Sequence, residues 1–82
     1  PIGPVWDEFL RRYPEIRLHR RDGNHSNLKG ALLTAFVFYE TITGRPASQL
    51  PHVAEIDISS KTQKQQRELV SRILESRVPC AL

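Results

Sequence analysis

The stretch NLKGALLTAFVFYETITG, residues 27–44, supports the strongest structural prediction in this chain. It predicts a helix that Ser26 caps and that runs to about Thr43, with Gly44 as the terminating glycine. Apolar side chains cover most of its circumference: Leu28, Ala31, Leu32, Leu33, Ala35, Phe36, Val37, Phe38, Tyr39 and Ile42. Because a helix that is apolar nearly all round is buried nearly all round, we expect it to need more cover than two modest helices provide.

Two further helices are predicted on either side of this segment. The first begins near Pro4, since proline suits the first helical position, and it ends before Pro14. Its apolar side chains recur at helical spacing: Val5, Trp6, Phe9, Leu10 and Tyr13. The second is a surface helix over about residues 60–77, for which Ser60 and Gln63 form a capping box.

A short strand is predicted between the first two helices, where Ile16-Arg17-Leu18-His19 alternates apolar and polar residues. A lone strand leaves its backbone groups unpaired, and the other candidate strand, residues 53–58, is short and acidic. An unpaired strand followed by a strongly apolar helix is typical of the edge of a larger α/β sandwich. We therefore expect residues 1–82 to be one segment of a larger protein, and a start at Pro1 without any methionine agrees with this.

Composition and charge limit the classes of function. With 39% hydrophobic and 26% charged residues, the chain has the composition of a folded globular protein. Its apolar runs are shorter than the roughly 18–20 residues of a membrane span. The net charge of +3 comes from basic residues interleaved with acids, so we expect no nucleic-acid binding. A single cysteine excludes an intrachain disulfide and leaves the compartment unassigned.

An acid and a histidine lie together in the loop before the central helix, at Asp22 and His25. Catalytic groups of α/β proteins gather where strands end, so both the residue types and their position suit a catalytic site. Spacing alone does not distinguish this pair from a solvated turn, because Asp22-Gly23 is a common turn sequence and most loop histidines contact only water. The longer segment around the pair, described next, favours the catalytic interpretation over a solvated turn.

The block from Asp22 to Tyr39, with Gly44-Arg45-Pro46 after it, resembles the last block of the SGNH (GDSL-like) hydrolase superfamily. That block has an Asp-x-x-His pair, a glycine a few positions later, which is Gly30 here, and an apolar helix. The resemblance covers residues from about Val5 to Pro46. This chain differs from the commonest family pattern in having Ser26 where proline often follows the histidine.

The resemblance implies a flavodoxin-like three-layer α/β/α sandwich, in which residues 16–44 form the Asp-His block. It implies a serine esterase or acyl hydrolase in which Asp22 and His25 are two members of a Ser-His-Asp triad. The chain lacks the Gly-Asp-Ser block of the nucleophile and the oxyanion donors. These would belong to the N-terminal part of the same enzyme or to a complementary chain. The implied partners are therefore that polypeptide and an ester substrate, and no cofactor or metal is implied.

The two side chains have complementary roles in such a triad. His25 takes the proton of the serine hydroxyl, which is otherwise a poor nucleophile. Asp22 accepts a hydrogen bond from the other ring nitrogen, fixes the tautomer and stabilises the imidazolium that forms during attack on an ester carbonyl. Because the positive end of a helix beside His25 disfavours imidazolium, Asp22 also balances that charge. Gly30 is interpreted as a position of close packing.

Two other classes of function remain open. His19, Asp22 and His25 are spaced three apart and can in principle supply three metal ligands, although a strand followed by a loop does not present that spacing on one face. Alternatively, a small helical interaction protein would bury the apolar surface of residues 31–39 against a partner. In that case the Asp-His pair has no assigned role.

Overall fold

The structure is a computed structural model that describes residues 2–19 and 27–76. Three α-helices lie in these ranges: α1, Ile2–Arg12; α2, Leu28–Thr43; and α3, Ser60–Ser76. A short 3-10 helix, Ala47–Gln49, lies between α2 and α3. The described ranges contain no β-strand and no sheet, so this part of the chain is a helical domain.

The predicted α/β architecture, the C-terminal part of a flavodoxin-like sandwich, is therefore wrong. Residues 16–19 do not form a strand of a sheet, and residues 53–58 form turns and bends. The backbone of the first segment is paired without a sheet, because Leu18 O accepts from Asn27 N at 2.8 Å and Arg17 O accepts from the Asn27 side chain at 2.8 Å. Polar and apolar residues alternate here because Leu18 is buried beside α2, and that alternation needs no neighbouring strand.

All three helices contribute to one core. In α1 the predicted apolar face is confirmed, since Val5 and Phe9 are fully buried and the other three members are partly buried. The core consists of Val5, Phe9, Leu18, Leu33, Phe36, Val37, Ala47, Leu69 and Val70. The segments on both sides of residues 20–26 are therefore anchored by buried side chains.

Helix α2 begins and ends with well-formed caps. Asn27 caps its start, with Oδ1 accepting a hydrogen bond from Gly30 N at 2.9 Å. The prediction that Ser26 is the cap is wrong, because it is the Asn27 side chain that meets the first turn. The prediction for the other end is confirmed, since Gly44 adopts a left-handed conformation with φ 73° and donates to Glu40 O at 2.9 Å.

Helix α3 begins with a different cap from the one predicted. Ser59 Oγ accepts from Thr62 N at 3.1 Å, so Ser59 is the capping side chain. Gln63 is fully buried and bonds Val53 and Ile58 instead of completing a capping box: its Oε1 accepts from Val53 N at 2.9 Å, and its Nε2 donates to both carbonyl oxygens at 3.0 Å. The polar start of α3 is therefore a buried anchor for the preceding loop rather than a simple solvated face.

The cover over α2 is one-sided. Leu33, Phe36 and Val37 are buried against the other helices, whereas Phe38 is 50% exposed and Ile42 is 78% exposed. The expectation that α2 is buried all round is wrong, because α1, α3 and the 3-10 helix cover only the side that faces them. An uncovered apolar side remains.

Candidate functional site

Asp22 and His25 lie in residues 20–26, outside the described residues, so their predicted roles remain predictions. The structure does describe the residues where this segment begins and ends. His19 is the last described residue before it, and Asn27 is the first described residue after it, directly before α2. Residues 17–19 and Asn27, which flank the segment that carries the candidate acid and base, are called the Asn27 junction here.

Asn27 joins both ends of this segment. Its backbone N donates to Leu18 O at 2.8 Å, and its side-chain Nδ2 donates to Arg17 O at 2.8 Å. A longer contact of 3.4 Å reaches His19 O from the same Nδ2. Since its Oδ1 also caps α2 through Gly30 N, one asparagine fastens the incoming chain to the start of the helix.

Trp6 of α1 supports the Asn27 junction. Its indole Nε1 donates to Thr34 Oγ1 at 3.0 Å, which fixes the ring against α2. The ring of His19 packs edge-on to it with 4.9 Å between ring centroids. The predicted place of Trp6 on the apolar face of α1 agrees with its partial burial against the core. Trp6 thus packs against the chain immediately before residues 20–26.

Gly30 allows α2 to approach these neighbours closely. A Cβ atom at this position would lie 2.7 Å from Trp6 Cη2 and still nearer to the carbonyl oxygen of Leu18. No side chain larger than hydrogen fits there without movement of the backbone. The prediction that Gly30 is a position of close packing is confirmed.

Helix α3 also contributes to this end of α2. Gln66 is fully buried, and its Nε2 donates to Lys29 O at 2.8 Å, within the first turn of α2. This contact adds a third element to the support around the helix start. The N–H groups of that turn give the start of α2 a partial positive charge.

The sequence pattern did not identify Asn27 as the central polar residue of the Asn27 junction. Ser26 and Asn27 are both strong capping residues, and they are adjacent, so propensity cannot choose between them. The contacts from Asn27 to Arg17 and Leu18 join residues about ten positions apart, which no helical or strand periodicity predicts. The only sequence signal for this role of Asn27 was its position as a polar residue between the Asp-His pair and the apolar helix.

Replacing Asn27 by alanine is expected to lower the free energy of unfolding by about 1–2 kcal/mol. The variant loses both the helix cap and the side-chain contacts to Arg17 and His19. Asn27→Asp separates these effects, because aspartate still accepts from Gly30 N but has no Nδ2 to donate. Urea unfolding followed by circular dichroism should therefore rank wild type above Asn27→Asp and Asn27→Asp above Asn27→Ala. Equal stability of wild type and Asn27→Asp would show that the contacts to residues 17 and 19 contribute nothing.

A separate groove of about 430 Å³ lies between α1 and α3. Its lining combines apolar and charged residues: Pro4, Glu8, Arg12, Leu69, Arg72, Ile73 and Ser76. Hydrogen bonds from Arg11 and Arg12 lower the pKa of Glu8 to about 2, so this carboxylate is ionised near neutral pH and cannot serve as a proton donor there. Ser76 Oγ donates to Ile73 O, and no histidine of residues 2–19 and 27–76 lines the groove. The groove therefore lacks a nucleophile and base pair.

The alternative metal site combines one described residue with two that lie outside the description. His19 is exposed and packs against Trp6, whereas Asp22 and His25 belong to residues 20–26. Within residues 2–19 and 27–76, no three histidine, cysteine or acidic side chains are grouped closely enough to hold a metal ion.

Comparison with known proteins adds no relative: no family model, curated protein or solved structure matches the chain. Among the described helices, none combines the length and apolar character needed to cross a membrane.

Proposed function

We propose that this chain supplies the acid, Asp22, and the base, His25, of a serine ester hydrolase whose nucleophile lies on polypeptide outside residues 1–82. The observation that carries the proposal is the Asn27 junction, which fastens both ends of the segment bearing the two side chains to the start of α2. The block of sequence that resembles SGNH hydrolases spans this same junction.

The junction suits acid–base catalysis because proton transfer requires side chains held within hydrogen-bond reach of each other. The described residues on either side of residues 20–26 are joined by short hydrogen bonds, so the two ends of that segment are fixed relative to each other. Closing the ends of a short loop restricts the positions available to the side chains it carries. Trp6 of α1 packs beside the Asn27 junction, and Gly30 lets α2 approach it closely.

The proposed chemistry is acyl transfer through a covalent intermediate. The serine oxygen attacks the ester carbonyl while His25 removes its proton, and Asp22 stabilises the resulting imidazolium. His25 then gives the proton to the leaving alcohol as the carbon–oxygen bond breaks and the acyl-serine forms. Water, deprotonated by the same imidazole, attacks the acyl-serine, and the imidazolium returns that proton to the serine oxygen as the acid leaves. This proposal does not use the flavodoxin-like sandwich, which the helical fold replaces.

Labelling with a fluorophosphonate tests this assignment, because such reagents phosphonylate activated serines. In the complete enzyme, meaning residues 1–82 together with the serine-bearing polypeptide, the label is expected on a serine outside residues 1–82. Residues 1–82 alone should remain unlabelled under the same conditions. Mass spectrometry that finds the label on Ser26 or another serine of this chain would overturn the proposed division of the triad.

A second candidate function is a helical interaction module without catalysis. The observation that favours it is the uncovered apolar side of α2, where Leu28 and Phe38 are each 50% exposed and Ile42 is 78% exposed. Exposed apolar residues that form a continuous patch mark interaction surfaces. Activity of the complete enzyme discriminates between the two functions, since a pure interaction module has no turnover that depends on His25.

A further inference from the structure

The outward side of α2 carries no charged residue. Its exposed members are Leu28, Ala31, Ala35, Phe38, Thr41, Ile42 and Thr43. The two charged residues of this helix, Lys29 and Glu40, are only partly exposed, and Glu40 Oε1 accepts from Ser71 Oγ of α3 at 2.7 Å. By contrast, the exposed sides of α1 and α3 each bear both acidic and basic residues. Among the three helices, α2 alone presents an uncharged surface to solvent.

Five of these residues form a seam with the spacing of a helix–helix interface. Leu28, Ala31, Ala35, Phe38 and Ile42 follow one another at intervals of three, four, three and four positions. This is the repeat by which paired helices keep one stripe in mutual contact. The seam, defined here as these five residues, extends over nearly the whole length of α2, from its first residue to the last turn.

The sizes of the side chains make the seam complementary to itself in one orientation. When two copies of α2 lie antiparallel about Ala35, Phe38 of each copy faces Ala31 of the other, and Leu28 faces Ile42. Phe38 then meets a small side chain, Leu28 and Ile42 pack on each other, and Ala35 at the centre permits close approach of the two backbones. A parallel pair would instead place Phe38 against Phe38 and leave a gap at the alanines. The antiparallel pair has the two-fold symmetry of most homodimers.

We propose that the seam is the contact surface of a weak homodimer in which two copies of α2 pack antiparallel about Ala35. The exposed parts of Leu28, Phe38 and Ile42 amount to roughly 300 Å² of apolar surface per copy, or roughly 600 Å² per pair. That is half of the lower limit for a standard interface, which buries roughly 1,200–2,000 Å² in total. The dimer therefore forms reversibly, at concentrations well above those needed for an obligate dimer.

This homodimer does not depend on the proposed catalytic role, because none of the seam residues belongs to the Asp-His pair. Loss of ester turnover leaves it intact, and failure to dimerise leaves the triad assignment intact. The two proposals are tested by different measurements.

Analytical ultracentrifugation of the 82-residue chain over a range of about 1 μM to 1 mM tests the homodimer. The wild-type chain is expected to change from monomer to dimer within this range. Phe38→Lys should raise the dissociation constant at least about tenfold, since it places a charge in the apolar contact. Gln49→Lys is the matched control, because it adds the same charge at an exposed position outside the seam and should leave dimerisation unchanged. Circular dichroism confirms that each variant is folded.

A charge pair tests the antiparallel orientation. Ala31→Glu and Phe38→Lys should each weaken self-association, whereas an equimolar mixture of the two variants should form a heterodimer, since residue 38 of one copy faces residue 31 of the other. A wild-type chain that stays monomeric throughout the range overturns the proposal. So does an equal loss of dimer in Gln49→Lys, or a folded mixture that fails to associate. Displacement of the second copy by the serine-bearing polypeptide would assign the seam to that polypeptide and would also overturn the proposal.

Discussion

Replacing Gly30 by alanine is expected to destabilise the chain by about 1–3 kcal/mol, although alanine normally stabilises a helix interior. The added Cβ would overlap the carbonyl oxygen of Leu18 and approach Trp6 Cη2 to 2.7 Å. The carbonyl belongs to the backbone that Asn27 holds, so it cannot move aside without disturbing those hydrogen bonds. The cost of overlap therefore exceeds the gain of at most about 1 kcal/mol in helix propensity.

Gly3→Ala is the matched control for this substitution. Gly3 also lies in a helix, α1, and a Cβ there would meet nothing within 4 Å. We expect this variant to be as stable as wild type or more stable, by up to about 1 kcal/mol. Thermal and urea unfolding of both variants measure the contrast. A Gly30→Ala variant that gains stability as Gly3→Ala does would show that α2 does not pack closely on Leu18 and Trp6.

The largest effects on function are expected at Asp22 and His25. In the complete enzyme, His25→Ala should reduce the kcat for ester hydrolysis on the order of 10⁶-fold, as loss of the base does in other serine triads. Asp22→Asn should reduce kcat on the order of 10⁴-fold, because an amide cannot hold the imidazole in the required tautomer. Both losses should appear in kcat rather than KM, since neither side chain is needed for ground-state binding.

Matched controls exist elsewhere in the chain. His52 and Asp57 lie in the exposed part of the loop before α3, so His52→Ala and Asp57→Asn should leave kcat unchanged. Unfolding measurements on all four variants separate a catalytic loss from a loss of structure. Near-normal turnover by a folded His25→Ala variant would exclude His25 as the base.

The helices were predictable because their signals are local. The apolar face of α1 at Val5 and Phe9, and the end of α2 at Gly44, depend on spacing and on one residue type, and both are confirmed. The predicted strand at residues 16–19 was wrong because alternation records which side chains are buried, not what pairs with the backbone. Here the partners are the backbone N and the side chain of Asn27, and no sheet is required in the described residues.

The candidate site was predictable only in part, for the same reason. Gly30 could be identified because a glycine inside an apolar helix is costly unless a neighbour needs the space, and Leu18 and Trp6 are those neighbours. The roles of Asn27 and Gln63 could not be predicted, since each bonds backbone groups ten positions away through a tertiary contact. The pattern of apolar residues in α2 also could not show which side is covered by this chain and which side is left for a partner.

Chemical rescue of His25→Ala by imidazole is the most direct test of a general base at this position. If His25 takes the proton of a serine on another part of the enzyme, millimolar imidazole should restore measurable ester hydrolysis to the His25→Ala enzyme. The same addition should have no such effect on a variant that lacks the serine. Turnover by His25→Ala at the wild-type rate without imidazole would contradict the assignment of the base to this chain.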